Sequence, residues 1–230
     1  MRRSSWERRI ERAVELEGEY PEAAEVLRFY REIANFQRAS EPQSQHSGFV
    51  AARMPDLVAL VRRIGPPVLV EAAGRLPAER PESAEVFFAR VLQQVQMAYR
   101  AAHSDIAVGT TEAACPFCRE RPVVAALRPE GEGGKRGLVC SLCFTEWEFR
   151  RLLCPNCGEE DHHKLPVYTA KEFPHIRVEA CDSCRHYIKS VDLTVNGHAV
   201  PEVDELAGIS LDLWAGEENY KKLTLNLLGF

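Results

Sequence analysis

Eight cysteines occur in the chain, and all of them fall in four Cys-x-x-Cys pairs: Cys115/Cys118, Cys140/Cys143, Cys154/Cys157 and Cys181/Cys184. Such a turn sets two sulfurs on one side of a tight backbone hairpin. Two turns complete a tetrahedron around one metal, with bonds of about 2.3 Å for zinc. N–H groups inside each turn can point at the sulfurs and stabilise thiolate charge. Eight sulfurs make two four-thiolate sites with nothing left over. Closed sites of this kind leave no open coordination position, which argues against metal-centred hydrolysis. Thiolate softness does not separate iron from zinc, so the expected cofactors are two metal ions, iron or zinc.

Four pairs can combine in three ways. The gaps of 21 and 23 residues each enclose a two-strand pattern, whereas the gap of 10 reads as a linker. The first pair is therefore expected to join the second and the third to join the fourth, with an interleaved arrangement as the alternative. The residue after the second cysteine of such a turn often needs φ > 0, which glycine adopts without steric cost. Only Cys157 is followed by glycine, and Arg119, Phe144 and Arg185 follow the others. Three turns thus depart from the ideal. His162 and His163 follow the third pair; with the ligand count already complete, they read as surface imidazoles. His46 and His103 read as surface or cap histidines.

The elements that must position these turns divide at about residue 108. Before it, apolar residues recur at helical spacing: Trp6, Ile10 and Val14; then Leu27, Tyr30, Ile33 and Ala34; then Met54, Leu57, Val58, Val61 and Ile64; then Phe87, Val91 and Val95. Pro21 suits the first turn of a helix. A short helix is expected over 68–76, and Pro77 and Pro81 bracket a loop. These stripes describe a bundle core. Ser104 to Ala114 reads as a connection. Beyond it the period changes to two, with strands expected at 121–129, around Trp147, and at 165–169, 176–180 and 187–195. The stretch EGEGGKRG (130–137) reads as a glycine-rich turn, and Asn196-Gly197 as another. A helical tail begins near Pro201, with Leu206, Ile209 and Leu213 as its apolar face. The expected fold is α+β: an N-terminal helical bundle (1–108), two tandem rubredoxin-like or zinc-ribbon four-cysteine modules (109–153 and 154–200) and a C-terminal helical tail (201–230).

Composition narrows the function. The net charge is −5 over 230 residues. Residues 1–108 balance 15 Arg against 15 acidic residues, while 109–230 carry 14 basic and 19 acidic residues. The cysteine-rich half is thus the acidic half and lacks the basic stripe of a nucleic-acid-binding ribbon. No run approaches the roughly 18 apolar residues of a membrane span. The N-terminal MRRSSWERRIERAVELEGEY has no apolar core or small-residue cleavage site, so no secretory signal is expected. A cytoplasmic location follows, where thiols stay reduced and metal ligation outranks disulfides. No nucleophile–base pair or phosphate-binding glycine loop is present, so an enzyme is not expected.

The stretches CPFC, VCSLCFTEWEFRRLLCPNCG and EACDSCRHYIKSVD, followed by a tail containing SLDLWA, resemble the formate dehydrogenase accessory protein FdhE family, most strongly over 115–215. The resemblance implies rubredoxin-like metal sites on all eight cysteines. It also implies a cytoplasmic maturation factor that acts on the catalytic subunit of formate dehydrogenase before export. Thr145, Glu146, Trp147, Tyr187, Lys189, Asp192 and Asp212 fall on family-like positions. Trp147 and Tyr187 read as ribbon core with partner contact as the alternative, and Glu146, Lys189 and Asp192 as either a salt-bridged scaffold or a recognition surface; Glu146, Trp147, Lys189 and Asp192 are the candidate partner-binding residues. The expected partner is that catalytic subunit, with neither nucleic acid nor membrane insertion, and a homodimer is compatible with the sequence. A rubredoxin-like electron carrier is the alternative function, and a nucleic-acid-binding zinc ribbon the third.

Overall fold

A computed structural model describes residues 5–76, 83–105 and 112–230. The loop expected between Pro77 and Pro81, and most of the connection expected at 104–114, lie outside the described residues. Five helices come first: α1 (Ser5–Glu19), α2 (Ala24–Ser40), α3 (Phe49–Ile64), α4 (Pro67–Gly74) and α5 (Ser83–Ala102). Strands β1 (Pro122–Glu130), β2 (Gly133–Cys140), β3 (Glu146–Glu148), β4 (Val167–Ala170), β5 (Phe173–Cys181) and β6 (His186–Asp192) follow. Helices α6 (Pro201–Ala207) and α7 (Ile209–Glu217) and a two-residue strand β7 (Lys221–Lys222) complete the chain. The α+β arrangement expected from the sequence is present.

The two cysteine modules are not separate beads. Antiparallel β1–β2–β3 forms one ribbon and antiparallel β4–β5–β6 the other. Strand β1 then pairs in parallel with β6, Ala125 opposite Ser190 and Leu127 opposite Asp192, so that one sheet runs β3-β2-β1-β6-β5-β4. Strand β7 pairs with the start of β6, at His186 and Tyr187. The glycine-rich stretch 130–137 is mostly strand rather than turn: β2 begins at Gly133, and only Gly131 and Glu132 reverse the chain. Gly137 is needed inside the ladder, because a Cβ there would lie 3.0 Å from Glu146 Oε1 and 3.2 Å from the Trp147 carbonyl oxygen.

One apolar layer lies inside the helices, around Trp6, Leu57, Val61, Phe88 and Leu92. A second joins α1 and α2 to the sheet through Ala13, Leu16, Leu27, Tyr30, Ile176 and Val178, with Tyr20 stacked on Phe173 at 5.1 Å. The buried face of α1 differs from the expected Trp6/Ile10/Val14 stripe: Val14 is half exposed, and Arg9 and Arg12 are buried instead. Their guanidinium groups meet Glu202 and Asp204 of α6, which rotates the buried face toward the charged residues. In the tail, Gly208 separates α6 from α7 and resets the helical phase. Leu211 is consequently buried and Leu213 is 67% exposed, contrary to the single apolar face expected.

Candidate metal centres

Each turn is built the same way. The N–H of the residue after the second cysteine donates to the carbonyl of the first in three of them: Arg119 to Cys115 (3.0 Å), Gly158 to Cys154 (3.0 Å) and Arg185 to Cys181 (2.8 Å). The N–H of the first cysteine donates to the carbonyl two residues past the second in three of them: Cys115 to Glu120 (2.8 Å), Cys140 to Thr145 (2.9 Å) and Cys154 to Glu159 (2.9 Å). All four residues at this position have positive φ: Arg119 67°, Phe144 59°, Gly158 76° and Arg185 57°. The three that lack glycine therefore adopt the same geometry, at a cost of about 1–2 kcal/mol each. Side-chain contacts accompany the strain. Phe144 packs edge-on against Trp6 (5.7 Å) and under the Arg9 guanidinium (4.0 Å), and Arg185 lies over Tyr220 (3.9 Å). Gly158→Ala meets no atom within 4 Å, so its expected penalty of about 1 kcal/mol is purely conformational. A thermal melt checks this; an unchanged or higher Tm would mean that this turn does not need glycine.

The turns come together in two groups, Cys115/Cys118/Cys140/Cys143 and Cys154/Cys157/Cys181/Cys184, with donor atoms in each group within 4.8 Å of one another. This is the sequential pairing, and the interleaved alternative is excluded. Sulfur–sulfur separations are 3.3–3.5 Å in the first group and 3.7 Å in the second. A tetrahedron with bonds of about 2.3 Å has edges of about 3.8 Å, whereas a disulfide would need about 2.05 Å. Both groups therefore have the size and donor chemistry of a closed four-thiolate cage and could bind two metal ions. Backbone N–H groups aim at the sulfurs: Leu142 (3.3 Å) and Cys143 (3.5 Å) at Cys140 Sγ, and Asn156 (3.4 Å) at Cys154 Sγ. The Thr145 hydroxyl lies 3.1 Å from Cys143 Sγ. Burial pushes the Cys184 thiol up, but hydrogen bonds from the Asn156 amide, the His186 N–H and neighbouring thiols outweigh it and draw the thiol down to about 6.

Surroundings separate the two groups. In the first, Cys115, Cys140 and Cys143 are buried in an apolar cluster with Leu138, Trp147 and Ile188. In the second, Cys157 is exposed and Cys184 half-buried.

The four residues singled out for partner binding divide. Trp147 is 1% exposed, with its indole N–H donating to the Glu112 carbonyl at 2.9 Å. Lys189 is fully buried, its ammonium bonded to the Glu205 carbonyl (2.5 Å), the Gly208 carbonyl (3.1 Å) and the Asp212 carboxylate (2.6 Å). Both side chains lie in the interior, Trp147 as ribbon core and Lys189 in a buried salt-bridged scaffold, which are the readings the sequence offered beside partner contact. Glu146 accepts a two-pronged bond from Arg128 (2.6 and 2.7 Å), and Asp192 pairs with Arg177 (3.3 Å); both keep an accessible edge. Glu146 also lines a cleft of about 720 Å³ between α1, the end of α5, Phe144 and residues 197–202.

Two buried ionic groups were invisible to spacing arguments. Lys189 and Lys222 share Glu205 and Asp212, with Tyr187 donating to Asp212 at 2.7 Å, which ties β6 to α6, α7 and β7. Arg12 and His175 both bond Asp204, at 2.6 and 2.7 Å, which joins α1 and β5 to α6. Burial pushes the Asp204 carboxyl up, but His175, Arg12 and the Val200 N–H outweigh it and hold it below the ordinary carboxylate range.

His46 and His103 are exposed, each with Nδ1 against a carbonyl in its own turn, as expected. His162 and His163 are also exposed and take no part in either cysteine group. No helix among the described residues is long and apolar enough to cross a membrane.

Comparison with known proteins places residues 114–151 in a family model described as FdhE, central domain, and residues 152–228 in one described as FdhE, C-terminal domain. The chain is similar to a protein FdhE homolog of Aquifex aeolicus, 38% identical over 117 residues, or 50% of this chain and 41% of the relative. It is also similar to a protein FdhE homolog of Pseudomonas aeruginosa, 35% identical over 123 residues, or 50% of this chain and 38% of the relative. The matched stretch thus spans about two fifths of these curated relatives. The fold is similar to that in the crystal structure of the FdhE protein from Pseudomonas aeruginosa, with TM-score 0.76, 23% identity, and coverage of 97% of this chain and 95% of that one.

Proposed function

Since the chain belongs to the FdhE family over its cysteine-rich half, we propose that it is a non-catalytic accessory factor for the maturation of formate dehydrogenase. It would bind the catalytic subunit in the cytoplasm before export. The observation that carries the reading is the pair of four-sulfur groups held in one continuous sheet. Cys115, Cys118, Cys140 and Cys143 would hold one ion, and Cys154, Cys157, Cys181 and Cys184 the other, iron or zinc. Bound metal would supply the cross-link that a small ribbon needs to stay folded. Glu146, with its accessible edge on the cleft beside the first group, and Asp192 are the remaining candidates for partner contact.

The test is formate dehydrogenase activity per amount of catalytic subunit in a strain lacking this gene. Activity should fall while the subunit is still made. Unchanged activity would remove the proposal.

The exposed Cys157 edge favours a second reading, electron transfer at the second group. Iron there would give a reversible visible absorbance change on reduction, and zinc would give none. The same exposure predicts unequal metal release. With a thiol-modifying reagent, one equivalent should leave quickly from the second group and the other slowly from the first. Release of both equivalents in a single phase would contradict this.

A further inference from the structure

The turn Asp161-His162-His163 belongs to neither cysteine group, and the proposed function makes no use of it. All three side chains are exposed. One donor atom from each lies within 4.8 Å of the other two, and the imidazole centroids are 3.9 Å apart. Among the described residues neither imidazole has a hydrogen-bond partner. Asp161 Oδ1 accepts the His163 N–H at 3.0 Å, capping the 3-10 turn His162–Lys164 and leaving the other carboxylate oxygen free.

The backbone beneath these side chains is already ordered. Glu159 accepts the Asp161 N–H at 3.0 Å and the Ser183 hydroxyl at 2.5 Å. The Lys164 carbonyl accepts the Asp182 N–H at 2.9 Å. Asp182 and Ser183 are the two residues between Cys181 and Cys184, so the turn is stitched to the second cysteine group. Binding an ion would fix only three exposed side chains, not a loop. A zinc-class ion with bonds of about 2.0–2.1 Å sets tetrahedral donors about 3.3 Å apart. Side-chain rotation closes the difference from 4.8 Å.

Two imidazoles and a carboxylate suit borderline first-row divalent cations such as Zn²⁺ and Ni²⁺, unlike the soft all-thiolate cages. Three ligands leave coordination positions open to water, so the ion exchanges. We infer that Asp161, His162 and His163 form a third, open metal site for a borderline divalent cation, attached to the rim of the second cysteine group.

The experiment titrates Ni²⁺ into the full chain as purified, with its cage metal first quantified by elemental analysis. Nickel is read separately from that metal. One equivalent should bind the wild type. His162→Gln with His163→Gln should weaken it by roughly tenfold or more, since even an outer-shell partner is worth about that much. Asp161→Asn keeps the cap acceptor but removes the charge, and should also weaken it. Cage metal content and Tm should not change in either variant. The inference is overturned if no nickel equivalent binds, or if the double variant binds it as tightly as the wild type. Neither result depends on a role in formate dehydrogenase maturation.

Discussion

Cys140→Ser is expected to lose one metal equivalent and to melt out the first ribbon with it. Cys140 ends β2, is fully buried, and accepts N–H groups from Leu142 and Cys143. Its neighbours in the same apolar cluster include Leu138 and Trp147. Structural zinc sites contribute about 10–16 kcal/mol to folding in small metal-dependent domains, whereas a whole protein is stable by about 5–15 kcal/mol. Loss of the metal therefore exceeds what the ribbon can absorb, and the remaining thiols of Cys115, Cys118 and Cys143, two of them buried, would be left without a cation. The near-ultraviolet circular dichroism of the buried Trp147 should collapse, and elemental analysis should find one equivalent instead of two. Cys157→Ser should lose an equivalent too, but with a smaller fall in Tm, because its side chain lies at the surface. Two equivalents retained by Cys140→Ser would sink the assignment of that cysteine as a ligand.

Asp204→Asn carries the second large effect. Asp204 is fully buried and bonds Arg12, His175 and the Val200 N–H. The neutral amide would leave the Arg12 guanidinium facing only Glu15, whose side chain is 59% exposed. Breaking a buried pair from one side costs about 3–5 kcal/mol, a fall in Tm of about 10 °C for a chain of this size. The pH dependence has a definite sign. The carboxyl of Asp204 lies below its ordinary range in the folded state. Its stabilising contribution is thus complete above the unfolded carboxylate pKa of about 3.9 and is lost as pH falls through the lower folded value. The Asp204 contribution to the difference in stability between wild type and Asp204→Asn should shrink below about pH 4. Replacing both partners, Arg12→Met with Asp204→Leu, should cost less than the sum of the single changes, because no charge is then stranded. A single-variant loss under 1 kcal/mol would mean that the pair does not hold α1 to α6.

The eight cysteines and their grouping were legible in the sequence for a local reason. Each Cys-x-x-Cys turn is specified within five residues, and each gap of 21 or 23 residues holds one hairpin that returns its second turn beside the first. The helix-to-strand change of period was equally local, as was the start of α6 at Pro201. Glycine content overstated the turn at 130–137: Gly131 and Glu132 do reverse the chain, but Gly137 marks close packing against β3.

What the sequence determined by itself was the set of eight cysteines, the sequential pairing of their turns and the α+β order of elements, because all three are set by spacing along the chain. Only the tertiary structure decided that the two ribbons share one sheet through β1 and β6. It alone placed Trp147 and Lys189 inside, and turned Arg9 and Arg12 inward. Arg12 and Asp204 are 192 positions apart, and no periodicity connects them. A charged residue reads as solvent-facing until its counter-charge is found, and that partner is supplied by the fold. The same holds for the unequal exposure of the two cysteine groups: identical motifs differ there because the apolar cluster around Trp147 covers only the first.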